Sequence, residues 1–414
     1  MKTLHTILSI VLGVLLTTGV LAEKPESTMF YLNTKNDYYK TNFTLASHLM
    51  ILTFEINGSD SLNLIFDTGA GRTIITEISN PYIVSLNEAR KVRLKGLGAD
   101  KPVDGLISKN NKLSMGKIEG KAQEVLVVPN KVIDLSARVG HPINGVIGRS
   151  IFEQFIVEIN YTNHTVPFYN PKKFNRKIRK NDDIIPIELI DGKPYITAMV
   201  TINGIDIPVK LLFDTGMSFA LWLDPSTNPN IKPSAARRQE VLGQGLNGNL
   251  SGEMSRIERF KIGKFEFSNV ITAFPDSNAI SDAISDNDRN GSVGAEIFRR
   301  FNVIIDYHNK QIILRKNSNY TDPFRYDMSG IEVSALVEGL PFYKVLSVGS
   351  NTPASEIGLM VDDEIKSING IPANTMKISD ISNILKIKEG KTIRMTVLRN
   401  GETIKVKFKL RKLI

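Results

Sequence analysis

Two aspartates stand at the ends of nearly identical apolar runs. Asp67 closes the run that starts at Leu64 (LIFDTG, ending at Gly69), and Asp214 closes the run that starts at Leu211 (LLFDTG, ending at Gly216). A carboxylate at an abrupt strand end, followed by Thr and Gly, is held in a tight turn. The glycine admits the turn's backbone geometry and the close approach of a second backbone, and the threonine hydroxyl can anchor to neighbouring main chain. Two such carboxylates brought face to face cannot both ionise cheaply, so they share a proton and titrate as a pair. One can then take a proton from a bound water while the other protonates a carbonyl oxygen, with the roles exchanged later. Chemistry of this kind cleaves an amide with no metal, no cofactor and no covalent intermediate.

The surrounding chain treats the two aspartates as equivalent points. Residues 48–56, then Asn57-Gly58, then the strand into Asp67 read as a β-hairpin with an Asn-Gly turn. Residues 195–202, then Asn203-Gly204, then the strand into Asp214 repeat that unit. Gly96 and Gly116 follow Asp67 at the same distances at which Gly243 and Gly263 follow Asp214. Gly148 and Gly294 keep step to within one residue, and each opens the same pattern of apolar residue, Gly, short helix and strand. An internal repeat with this register predicts two copies of one β-rich unit, residues 43–171 and 184–317. A basic, solvated linker, 172–183, joins them. From about residue 328 to 414 the pattern changes to a small α+β unit. It has strands near 331 and 343–348, a short helix near 351–359, a helix over 378–387, and a final hairpin around Asn400-Gly401.

The ends and composition bound the setting. Lys2, an apolar stretch over 7–16 and small residues up to Ala22 read as a secretory signal peptide, 1–22, either cleaved or retained as an anchor. With no cysteine and 42% hydrophobic residues, the chain must be stable through its core rather than through disulfides. The net charge of +9 is spread along the chain without interleaved aromatics, which argues against nucleic acid as a partner. His5, His48, His141, His164 and His308 show no ligand spacing, so no metal site is expected. The run from Gly243 through Gly245 to Gly248 matches G-x-G-x-x-G, but no helix entry follows, so dinucleotide binding is not inferred. Together with Gly96 and Gly98 in the first copy, Gly243 and Gly245 read as paired flap hairpins near a cleft, or as ordinary glycine-rich turns.

LIFDTGAG and LLFDTGMS resemble the active-site turns of pepsin-like and retropepsin-like aspartic proteases, and the segments at Gly148 and Gly294 resemble the apolar-Gly pair behind each turn. Residues 220–225 (ALWLDP) are similar to the stretch that follows a pepsin-type turn. The resemblance implies a mainly β fold of two pseudo-twofold-related β-barrel lobes. It implies Asp67 and Asp214 as the catalytic pair, with Thr68, Gly69, Thr215 and Gly216 supporting the loops. Residues 328–414 resemble a PDZ domain, with Gly339, Leu340 and Phe342 similar to a Gly-Leu-Gly-Phe carboxylate loop in which Pro341 replaces one N–H donor. On that analogy a peptide C-terminus adds beside residues 343–348, with the 378–387 helix as the other wall. The expectation is an exported, monomeric aspartic endopeptidase of a bacterial periplasm, envelope or medium, acting on protein or peptide substrates and carrying a PDZ domain for recruitment or regulation. The alternative is a catalytically silent scaffold that presents peptides.

Overall fold

The computed structural model describes residues 29–77, 84–94, 103–128, 134–245, 248–276, 288–335 and 340–414. The signal peptide expected over 1–22, the flap glycines Gly96 and Gly98, and Gly339 lie outside the described residues.

Each lobe is a closed ring of six strands. In the first lobe the neighbours run Leu49–Ile56, Leu62–Phe66, Gly145–Ile147, Thr73–Ile75, Ile118–Val127 and Val103–Met115, which returns to Leu49–Ile56. In the second lobe they run Lys193–Ile202, Ile205–Phe213, Gly291–Val293, Leu221–Leu223, Phe265–Pro275 and Gly248–Ile262, which returns to Lys193–Ile202. Closure removes free sheet edges inside each lobe. It also explains the unbroken apolar character of the strands that end in aspartate. Leu62, Leu64 and Phe66 enter the main core, while Ile65 on the opposite face packs into a second apolar layer with Ile51 and Ile74.

A third sheet joins the lobes. Its order is Asp183–Pro186, Gln311–Lys316, Phe301–Asp306, Ile156–Asn160, Thr165–Tyr169, Tyr38–Asn42. The central antiparallel pair matches Val157 with Ile305 and Ile159 with Val303, which are equivalent pairings under exchange of the repeats. The pseudo-twofold axis therefore passes between these two strands. Residues 29–42 supply two further strands: Met29–Leu32 on Ile118–Val127, and Tyr38–Asn42 at the sheet end that mirrors Asp183–Pro186. The alternating exposed and half-buried residues of Tyr38–Asn42 hide that strand from a search for apolar runs.

The C-terminal unit has the sheet order Ile331–Ala335, Tyr343–Val348, Glu364–Ile368, Thr392–Arg399, Glu402–Lys409, around its own core. Tyr343–Val348 is an interior strand with partners on both sides. The sheet edge next to the helix Ile378–Leu385 is Ile331–Ala335, and this corrects the expected peptide-accepting strand. Leu340 and Phe342 sit on the turn before the interior strand with exposed side chains, not at the open edge. Chain order misled because two adjacent apolar segments compete for the edge position, and only strand pairing decides between them.

The C-terminal unit packs on the second lobe. Ile414 and Tyr326 join Met217, Trp222, Leu242 and Leu250 in one apolar cluster, and Arg238 donates to Ser350 O at 3.2 Å.

Candidate active site

Both Asp-Thr-Gly turns meet at the lobe interface. The Asp67 amide donates to Ile147 O and the Asp214 amide to Val293 O, both at 3.0 Å. Each strand end is thus pinned by the parallel strand that precedes Gly148 or Gly294. Those two glycines have a packing cause. A Cβ on Gly148 would lie 2.3 Å from Ala70 O, and one on Gly294 would lie 2.4 Å from Phe219 O. Nothing larger fits behind either turn.

The threonines bind the turns to each other. The Thr68 amide donates to Thr215 Oγ1 (3.0 Å), and the Thr215 amide donates to Thr68 Oγ1 (3.1 Å). Thr68 Oγ1 donates to Phe213 O (2.5 Å), and Thr215 Oγ1 donates to Phe66 O (2.8 Å). All four bonds are buried, so each polar group is satisfied only by the opposite lobe.

The carboxylates are fixed by their own turns and by each other. Gly69 N donates to Asp67 Oδ1 (2.6 Å) and Gly216 N to Asp214 Oδ1 (3.0 Å). Each carboxylate overhangs the opposite glycine: a Cβ on Gly216 would stand 2.2 Å from Asp67 Cγ, and one on Gly69 would stand 3.0 Å from Asp214 Cγ. Asp67 and Asp214 act on each other directly, and both are raised above the ordinary carboxylate range. Burial is the first cause for each; the charge of Asp214 adds to it at Asp67, while Arg289 opposes it at Asp214. Two close carboxylates whose ionisation is opposed by burial can share one proton. In this state one oxygen can accept a proton from water and another can donate one.

Two hairpins clasp the lobes beside this site. In the first lobe, Thr44–Ala46 and Leu49–Ile56 present His48, whose Nδ1 lies 2.8 Å from Glu296 Oε2 in the second lobe. Burial alone would raise Glu296, but His48 and then Arg299 outweigh it and hold the carboxyl below its usual range. In the second lobe, Glu188–Ile190 and Lys193–Ile202 present Asp191, whose carbonyl accepts from the Arg149 guanidinium of the first lobe.

The structure brings Asp67, Thr68, Gly69, Asp214, Thr215 and Gly216 into one site. Gly243 is buried on the strand Arg237–Gly245, which ends at Gly245 paired with Gly248. Arg90–Leu94, paired with Val103–Met115, occupies the equivalent place in the first lobe. Sequence reasoning missed Lys193, whose charge acts on both carboxylates, and Arg289, whose charge acts on Asp214. The repeat carried a signal for the first. Tyr195 pairs with Leu212 as Ile51 pairs with Ile65, which sets Lys193 in the slot that the first lobe fills with Leu49.

In the C-terminal unit, the loop before the open edge has its donors engaged. Asp327, itself buried, accepts from the amides of Ser329 (3.1 Å) and Gly330 (2.5 Å) and from Ser329 Oγ (2.6 Å). A side-chain carboxylate thus fills the backbone nest at the head of Ile331–Ala335.

Comparison with known proteins agrees with this geometry. The family model described as aspartyl protease matches residues 52–151 and again 198–296, and the model described as PDZ domain matches 329–410. A stretch of 62 residues is 39% identical to the 26S proteasome non-ATPase regulatory subunit 9 of Homo sapiens and 36% identical to that of Mus musculus. It covers 15% of this chain and 28% of each relative, so the chain spans under a third of their length.

Proposed function

We propose that this chain, whose two lobes are of the aspartyl protease family and whose C-terminal unit is a PDZ domain, hydrolyses internal peptide bonds with a water activated between Asp67 and Asp214. The observation that carries the reading is a pair of buried carboxylates, each overhanging the glycine of the opposite turn, locked in register by reciprocal threonine bonds. A pair holding one proton has a base and an acid in a single site. The ionised carboxylate removes a proton from water as its oxygen adds to the scissile carbonyl carbon. The protonated carboxyl gives its proton to the carbonyl oxygen. The tetrahedral intermediate collapses as a proton passes to the departing nitrogen, the C–N bond breaks, and the pair is left with one proton again.

The hairpin carrying Gly243 and Gly245 is assigned to covering the substrate. The PDZ domain is assigned to recruiting a peptide segment along Ile331–Ala335, by strand addition at the open edge. Export to a bacterial envelope or medium follows from the residues 1–22 reading and from the lack of cysteine.

The test is cleavage of a mixed peptide library from acid to neutral pH by wild type, Asp67→Asn and Asp214→Asn. Wild type cuts, and each variant loses at least about a hundredfold, the low end of what a positioned acid or base supplies. A wild type that cuts nothing, or a variant that cuts as well as wild type, sinks the reading.

A further inference from the structure

Lys193 is 8% exposed. Among the described residues, no hydrogen bond or ion pair reaches its ammonium. The groups whose charges act on it are Arg289, Asp67, Asp214 and Asp191, the last exposed on the same hairpin tip. A buried ammonium without a direct partner is costly, and the equivalent slot in the first lobe shows that the fold accepts an apolar side chain there. Leu49 fills that slot, fully buried in the second apolar layer. Lobe two has also changed its neighbours on that face. Tyr195 stands for Ile51, and Ser292 stands for Val146 on the strand behind the catalytic turn.

Arg289 holds this polar layer in place. Its Nε donates to Gly291 O at 2.8 Å, and its guanidinium donates to Ser292 Oγ and faces the Tyr195 hydroxyl. Arg289 is thus tied to the strand whose Val293 carbonyl receives the Asp214 amide. Lys193 lies two residues from the hairpin tip that touches Arg149 of the first lobe. Lys193 thus lies buried on the hairpin that bridges the lobes, and its charge acts on both catalytic carboxylates.

We propose that Lys193, backed by Arg289, is an anion subsite on the second-lobe side of the cleft that selects substrates with a carboxylate at one fixed position beside the scissile bond. The proposal rests on the proteolytic reading above and adds a substrate class to it. The carboxylate can belong to an Asp or Glu side chain or to the chain terminus of a short peptide. Its arrival replaces the missing partner of the ammonium, and a charge-assisted bond formed out of water is among the stronger polar contacts. Burial draws the Lys193 ammonium down from its usual range, and the bound carboxylate restores it.

Two assays decide it. The first profiles cleavage of a positional peptide library by wild type, Lys193→Met and Lys193→Glu, with internal Glu against Gln and free against amidated C-termini as separate arms. Wild type favours the carboxylate at one position by on the order of tenfold to a hundredfold in kcat/KM. Within Lys193→Met the ratio of kcat/KM for Glu over Gln peptides falls to about one, whatever its overall rate, and Lys193→Glu turns the preference towards Lys and Arg. The second assay uses Asp67→Asn protein, with and without Lys193→Met, and follows anisotropy of labelled Glu and Gln peptides, which reads the subsite without turnover. A wild type that cleaves nothing overturns the proteolytic reading, while the binding arm still judges the subsite. Equal use and equal binding of Glu and Gln peptides overturns the subsite. So does a Lys193→Met protein whose pH profile moves while its carboxylate preference stays, because the cation then serves only the catalytic pair.

Discussion

Replacing Glu240 with Gln should stabilise the protein, and by an amount that grows with pH. Glu240 lies on Arg237–Gly245, the second-lobe strand against which the PDZ domain packs, and is buried. Burial, then Asp327 and Glu332 of the C-terminal unit, push its carboxyl from 4.5 up to about 8, with Arg238 and Lys386 opposing. In the unfolded chain the group ionises near its ordinary value. Between the two values the native state binds the proton that the unfolded state has lost, so stability falls as pH rises and levels off above about 8. At about 1.4 kcal/mol per decade of proton binding, the native state forfeits about 2 kcal/mol by pH 6 and about 5 kcal/mol above pH 8. Glutamine has the same shape and no charge, so Glu240→Gln escapes this loss. The assay is urea unfolding across pH 4 to 9 followed by tryptophan fluorescence. Trp222 is the only tryptophan and lies in the cluster that contains Leu242, Tyr326 and Ile414, so it reports on this contact. The two proteins should coincide at pH 4 and diverge steadily to pH 8. Parallel curves, or a wild type that gains stability with pH relative to Glu240→Gln, would refute the assignment of a buried neutral carboxyl at this interface.

Other consequences can be measured directly. Gly216→Ala should abolish cleavage while Gly69→Ala retains some, because the added methyl meets Asp67 at 2.2 Å in one case and Asp214 at 3.0 Å in the other; library cleavage rates separate them. Thr68→Val and Thr215→Val should each cost about 1–3 kcal/mol in thermal or urea unfolding, since each leaves partners across the lobe interface unsatisfied. The double variant should cost less than the sum of the two, because they share one network. A proline at Val333 should abolish binding of a labelled peptide to the PDZ domain, whereas Phe342→Ala should leave it largely intact; the reverse result would restore Tyr343–Val348 as the docking strand.

The duplicated lobes could be read from the chain because their cause is local. Strands flanking Asn-Gly turns, apolar runs ending in Asp-Thr-Gly, and glycines at matched distances each follow from short-range sterics, and their repetition marks equivalent places. Asn57 and Asn203 do adopt the left-handed conformation such turns require, with φ of 52° and 51°. Tyr38–Asn42 was hidden because exposed and half-buried residues alternate along it, and strand pairing at a sheet end does not demand a long apolar run. The peptide edge of the PDZ domain was misplaced for a related reason. Hydrophobic pattern says that a segment is a strand, but not which strand lacks a neighbour.

The amino-acid order by itself determined the two lobes, the identity of the paired aspartates, and the requirement for glycine and threonine beside them, since each follows from what a residue's own backbone and side chain permit. Folding decided what lies around the pair. That the threonines exchange bonds across the interface, that Lys193 has no partner among the described residues where the first lobe has Leu49, and that Glu240 lies in the field of Asp327 and Glu332 are facts about residues distant in the chain. Desolvation and Coulomb energy depend on distance and burial in three dimensions. These terms set the charge of a site and the substrate it accepts, so only the packed molecule could disclose them.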